Sequence, residues 1–434
     1  MNHWSRFTAL LLLVAASLPA SALQPTAVTS QTVGQCPPLP VVPAAGASQQ
    51  AFDQYSWQLF IALNWPALAG QRGSPDCSKP LGSAGDTVWQ SYKSVAETFL
   101  PDGQDPGPWD TPPKARSLSL INIAAVKNNQ VVQSDLQAVG GWLIDQRQNP
   151  TYYDIATNQV SYSYIVDNQF YNADIVEAAK SIKFPSNATE VKSSWRIMTA
   201  SDDTSRYLTM QAQVTKFDDQ GKPIGVMDAN LGLVGLHIIT KVDGFPQWVW
   251  STFEQVDNVP PKVQQGNQWV DQPAAGVFYS YYDASAPANK VNQSPCNWQP
   301  VNSGMVCQPK PGASFKTPDP LNRYTPITPG TQQVNGQFQS SPPVQSSVFK
   351  NYQLITTQRP QQPNNPGNPL GAPTPSLSAN VTMEAYIQPS SSCMNCHTMA
   401  TPLNSFSKSD FSYVFRFAQA QAQAPATASH QAKD

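Results

Sequence analysis

Five residues near the C-terminal end, Cys393-Met394-Asn395-Cys396-His397, constrain this chain more than any other stretch. They read C-x-x-C-H. Two thiols at this spacing sit on one turn of helix, where each can form a thioether to a haem vinyl group. The histidine directly after the second cysteine then lies under the iron and can ligate it through an imidazole nitrogen. The spacing predicts one covalent haem c on Cys393 and Cys396, with His397 as an axial ligand. Other chemistries use the same residue types. A Cys393–Cys396 disulfide would leave His397 incidental. A thioredoxin-like pair would sit in a βαβ pattern, which is lacking here. A zinc site would want a second ligand pair at similar spacing, and the sequence has none.

Covalent haem attachment in bacteria requires export, and the N-terminus fits export. Arg6 gives a positive start, residues 9–18 are apolar, and Ala20-Ser21-Ala22 obeys the small-x-small cleavage rule. Residues 1–22 are therefore expected to be a cleaved signal peptide, with a run too short to anchor in a bilayer. No later stretch reads as a membrane span, so a periplasmic or secreted protein is expected. Charged residues are only 12 % of the chain and the formal net charge is −2. That excludes a nucleic-acid binder and a polybasic membrane surface, and leaves an unidentified redox partner as the expected one. There are six cysteines. With two on haem, Cys296 and Cys307, which flank a turn-rich segment, are expected to pair, leaving Cys36 with Cys77. An oxidising compartment permits both bridges.

Periodicity divides the rest. Residues 23–47 read as an extended arm. Ser48 is a plausible N-cap, followed by Phe52, Tyr55, Leu59, Phe60 and Leu63 at helical spacing, ended by Asn64-Trp65-Pro66. A second helix is expected over 86–100. Alternation then predicts strands over 117–123, 140–144, 160–166, 191–199, 207–216, 231–242, 248–250 and 277–282, with one short helix over 173–181. Residues 286–380 are rich in Pro, Gln, Ser and Asn and are expected to form a long irregular excursion. Residues 381–387 read as a strand leading into the motif, 410–418 as a helix, and 424–434 as a disordered tail. The fold class this implies is α+β, a mainly antiparallel β body with a few helices, long Pro-rich loops and a C-terminal haem segment. The units are expected at 1–22, 23–285, 286–380, 381–423 and 424–434.

Only Met399 among the methionines follows His397, too close to reach the opposite haem face. A second axial ligand must come from earlier in the chain. His3 belongs to the signal peptide and His430 to the tail, which leaves His237 in Leu233-Val234-Gly235-Leu236-His237-Ile238-Ile239. Alternation places Leu233, Gly235, His237 and Ile239 on one face, with Gly235 leaving room for a flat macrocycle. His237 is thus a candidate cofactor-binding and iron-ligating residue, or a buried histidine bonded to a carbonyl. Met383 and Met227 are weaker candidates. Glu254, close after several tryptophans, reads as a buried acid with Lys192 as its cationic partner, either an acid–base group or a structural ion pair.

The segment Cys393 to Phe415, with Asp410-Phe411-Ser412-Tyr413-Val414-Phe415 after the motif, resembles the C-terminus of monohaem c-type cytochromes. It is locally similar to the lysine-crosslinked cytochromes that oxidise hydroxylamine, which are antiparallel β proteins with a C-terminal haem. Their crosslinking lysine has no counterpart that can be placed in this sequence. The wider resemblance, to large bacterial cytochrome c family proteins, implies haem and periplasm but no reaction. Three functions compete: an electron carrier, a haem oxidoreductase acting on a small molecule, and a haem-based binding or sensor protein. The number of strong axial ligands discriminates them.

Overall fold

The computed structural model describes residues 36–112, 125–127, 130–132, 140–301 and 304–421. The expected signal peptide, the start of the arm, the strand over 117–123 and the 424–434 tail lie outside the described residues. The α+β, mainly antiparallel expectation holds. Six long strands carry the main sheet: β1 (Tyr152–Thr157), β2 (Thr189–Ile197), β3 (Thr209–Phe217), β4 (Pro223–Val242), β5 (Phe245–Gln255) and β6 (Tyr352–Pro360). The order is β1-β2-β4-β5-β6, edged by Lys93–Ser94 and Pro373–Thr374, with β3 pairing the first half of β4. Every pairing is antiparallel.

One face of this sheet is covered by helices. In α1 (Gln49–Leu63), Ser48 caps the N-terminus by accepting from Ala51 N. Its Phe60 ring stacks on Phe253 of β5 at 4.2 Å and its Trp57 meets the same ring edge-on at 5.2 Å. Trp57 Nε1 donates to Asn335 of α2 (Pro329–Gln339), whose Nδ2 in turn donates to the Leu354 carbonyl of β6. The other face is covered by the C-terminal segment, so nearly every residue of β5 is buried. A strand covered on both faces reads as a continuous apolar run rather than an alternation. Both expected disulfides are present, Cys36–Cys77 and Cys296–Cys307.

Several expected elements differ. Residues 86–100 are not one helix but a turn at Trp89–Ser91, the edge strand and a four-residue helix Val95–Thr98 begun by a capping box at Ser94 and Glu97. Residues 160–166 are a helix, Gln159–Asp167, because Asn158 caps it and Ser161, Tyr162 and Ile165 bury one helical face. Residues 140–144 make only an isolated bridge at Ile144. Residues 277–282 lie beside 257–258 through bonds such as Ser280 N to Asp257 O, without forming a strand. The stretch 286–380, expected to be irregular, supplies β6, α2 and the hairpin Cys296–Val301/Gly304–Pro309. Residues 381–387 turn rather than extend, with Met383 N and Glu384 N both bonding Asn380 O. Residues 410–418 hold only a 3₁₀ turn, Val414–Phe417.

Candidate functional site

The strand register builds the floor of the site. Lys192 of β2, His237 of β4 and Thr252 of β5 lie side by side across the sheet. Two residues along, Glu190, Ile239, Trp250 and Gln358 form a second row. Side chains two apart on a strand share a face, so both rows point at the segment 378–418. That segment is tied to them one by one. Gln358 Oε1 accepts from Met394 N at 2.9 Å and from Ser392 Oγ at 3.2 Å. Thr252 accepts from Asn380 Nδ2 and Glu190 from Ser412 Oγ.

The C-x-x-C-H residues form α3 (Cys393–His397), a single turn capped by Ser392. Met394 points into the core and is fully buried, which fixes the rotation of the turn and leaves Cys393, Cys396 and His397 only partly covered. Cys393 and Cys396 are free, unlike the other four cysteines. Burial, with the nearby Glu384 carboxylate, pushes the Cys393 thiol up to about 12, and burial also raises Cys396. Reactive redox and metal-binding cysteines have depressed values instead, so this pair lacks the electrostatics of a dithiol nucleophile.

His397 is held from three sides. Its ring lies 4.5 Å from Trp250 and 5.0 Å from Tyr413, between centroids. Tyr413 in turn donates its hydroxyl to the Cys396 carbonyl. His397 Nδ1 lies 2.7 Å from the Phe411 carbonyl oxygen, which can only accept, so Nδ1 carries the hydrogen and Nε2 the lone pair. Burial pushes the imidazole down to about 4, and the nearby His237 and Lys192 act in the same direction. His397 is therefore neutral at pH 7, with Nε2 available as a ligand.

His237 lies on the same face. Its Nε2 is 3.5 Å from Glu384 Oε2, and that nitrogen is buried with no hydrogen-bond partner. The Glu384 carboxylate thus lies at the outer limit of a hydrogen bond from that nitrogen. Burial alone would raise Glu384; His237, the Asn380 amide and Lys192 outweigh it and hold the carboxyl below its usual value. The fold thus brings all four sequence-predicted site residues, Cys393, Cys396, His397 and His237, to one face of one sheet.

Other details of the expected pocket are corrected. The register slips between Ser194 and Trp195, so Leu233 packs with Leu236 and Ile238 in the helix-side core rather than beside His237. Gly235 does face the C-terminal segment, but a Cβ there would meet Thr382 Oγ1 at 2.4 Å and Ser194 Oγ at 2.5 Å. A polar cluster, not open space, occupies that position. Met383 is fully buried in a separate apolar core with Val381 and Ala385, and Met227 packs toward the helix-side core. The partner of Glu254 is Arg323, at 2.6 Å, rather than Lys192. Glu384 and Glu190 are not singled out by the sequence, and Asp410 figures there only in the segment after the motif. The two acids flanking Lys192 and Met383 carried no spacing signal, since their role depends on register and on a fold-back of the chain.

Among the described residues no group of three or more His, Cys, Asp or Glu side chains converges to hold a bare metal ion. A haem brings its own four nitrogen ligands, so a chain that holds one need supply only one or two, and a neutral imidazole such as His397 is a donor of that type. No family model, curated protein or solved structure matches the chain.

Proposed function

We propose that this chain is an exported monohaem c-type cytochrome that transfers electrons, with haem c joined to Cys393 and Cys396 and His397 as its axial ligand. The observation that carries the reading is the hydrogen bond from His397 Nδ1 to the Phe411 carbonyl, on a histidine that directly follows two free thiols. Iron-ligating histidines almost always donate their second ring N–H in this way, which fixes the tautomer and raises ligand basicity. Trp250 and Tyr413 pack against the ring. His237, across the same face, offers a second imidazole, and two strong axial ligands favour electron transfer over an open catalytic site. The haem, when bound, would supply a one-electron couple. Two disulfides agree with an oxidising compartment such as the periplasm. Among the described residues no helix is long and apolar enough to cross a membrane.

A second reading, a periplasmic haem oxidoreductase acting on a small molecule, draws on Glu384. If His237 does not ligate iron, the His237–Glu384 pair can hold and deliver a proton beside the haem face. Coexpression of the full chain with haem-maturation machinery tests the main reading. The protein should keep its haem through denaturing electrophoresis, and Cys396→Ser should be colourless. Loss of haem from the wild type under denaturation refutes covalent attachment. Rapid carbon monoxide binding by the wild type would favour the second reading.

A further inference from the structure

The hydrogen bond that fixes His397 depends on where the Phe411 carbonyl points, and the chain holds that carbonyl at a cost. Eight described non-glycine residues have positive φ, and three of them meet here: Asp410 at 54°, Phe411 at 69° and Trp248 at 65°. Left-handed backbone is unfavourable for bulky residues, roughly 1–3 kcal/mol each, and persists only where the surroundings impose it. The surroundings here are specific. Trp248 Nε1 donates to the Asp410 carbonyl at 2.9 Å. The Asp410 carboxylate takes Lys241 Nζ at 2.7 Å on both oxygens and the Phe184 amide at 2.7 Å, and the Lys241 and Asp410 side chains are only 8 % and 9 % exposed. On the far side of Phe411, Ser412 Oγ donates to buried Glu190 at 2.6 Å and accepts from Val414 N.

We infer that Asp410, anchored by Lys241 of β4, is the positioning residue for His397: it clamps the 410–412 loop in a left-handed turn so that the Phe411 carbonyl stays on Nδ1. This rests on the cytochrome reading for its consequence, though not for its geometry. Lys241 lies on the strand that carries His237, so a single strand carries both the clamp and the second imidazole. An unclamped loop relaxes toward ordinary backbone angles, the carbonyl turns away, and His397 loses both its fixed tautomer and the partner that raises its basicity.

The test has two arms. In the first, the full chain without haem is labelled with ¹⁵N-histidine and the His397 ring is read by NMR at pH 7, in wild type, Asp410→Asn and Ser412→Ala. Wild type should show the Nδ1–H tautomer alone, and the variants should admit the Nε2–H form. In the second, the haem-loaded proteins are titrated electrochemically. Loss of the carbonyl bond should shift the reduction potential upward in both variants. Asp257→Asn breaks another partly buried ion pair, with Arg206 at 2.6 Å, and should lower stability without moving either readout. If Asp410→Asn fails to fold, Ser412→Ala carries both arms. Unchanged tautomer and potential in the folded variants overturn the inference. If the tautomer shifts as expected but the wild type takes up no covalent haem, the clamp stands and the cytochrome reading falls.

Discussion

Replacing Arg323 by Met should be among the most damaging single changes in this protein. Glu254 Oε2 accepts from Arg323 Nη2 at 2.6 Å and Oε1 accepts from Nη1 at 3.3 Å, and the two side chains are 0 % and 3 % exposed. Among the described residues the one other donor to that carboxylate is Val381 N, at 2.8 Å. Met fills similar volume but leaves a fully buried carboxylate with one backbone partner. Breaking one side of a buried pair costs about 3–5 kcal/mol, because the remaining charge has lost its compensation. Arg323→Met with Glu254→Gln removes both charges and keeps an acceptor for Val381 N, so the double variant should recover most of that loss. Urea unfolding followed by tryptophan fluorescence reads all four members of the cycle, provided the transitions are reversible and share one slope. Since Glu254 anchors Val381, Arg323→Met should also speed protease nicking between the sheet and α3. A cost of Arg323→Met below about 1 kcal/mol, the range of exposed pairs, would mean the pair is hydrated and the reasoning fails.

Three further outcomes are expected. Burial pushes the Glu190 carboxyl from 4.5 to about 8. The folded chain then keeps a proton that the unfolded chain sheds, so this contribution is full below about pH 4.5 and is lost as pH rises toward 8, at about 1.4 kcal/mol per pH unit. Glu190→Gln should flatten that fall and be relatively more stable at pH 8; a stability-against-pH curve parallel to wild type would contradict it. In the haem-loaded protein, His237→Ala should turn a low-spin spectrum high-spin and admit carbon monoxide quickly; an unchanged spectrum removes His237 from the iron. Opening Cys36–Cys77, 41 residues apart, should cost about 4 kcal/mol against about 3 for Cys296–Cys307, 11 apart, if chain entropy dominates. Denaturation of the two Cys→Ser pairs in the opposite order would count against that.

Local signals settled what needed only local physics. Cys393, Cys396 and His397 share one turn, which three-residue spacing allows, Ser392 caps and the burial of Met394 orients. Ser48 began α1, where a cap and a helical stripe agree. The antiparallel β class followed from alternation, and both disulfides from parity and position. Where two local codes compete, sequence misled: the residues over 160–166 alternate like a strand, yet Asn158 caps a helix there. Prolines and glutamines over 286–380 suggested an irregular excursion, but β6 lies beside β5, and burial there overrides weak intrinsic propensity. The environment of the site belongs wholly to the tertiary structure. That His237 shares a sheet face with the row beneath His397, that Glu384 sits 3.5 Å from His237, and that Asp410 meets Lys241 are matters of register and chain return. Residues brought together across such separations leave no spacing in the sequence, because a side chain's neighbour across a sheet is set by which strands pair and in what phase. A single slip between Ser194 and Trp195 moves Leu233 to the opposite face while leaving His237 where alternation put it.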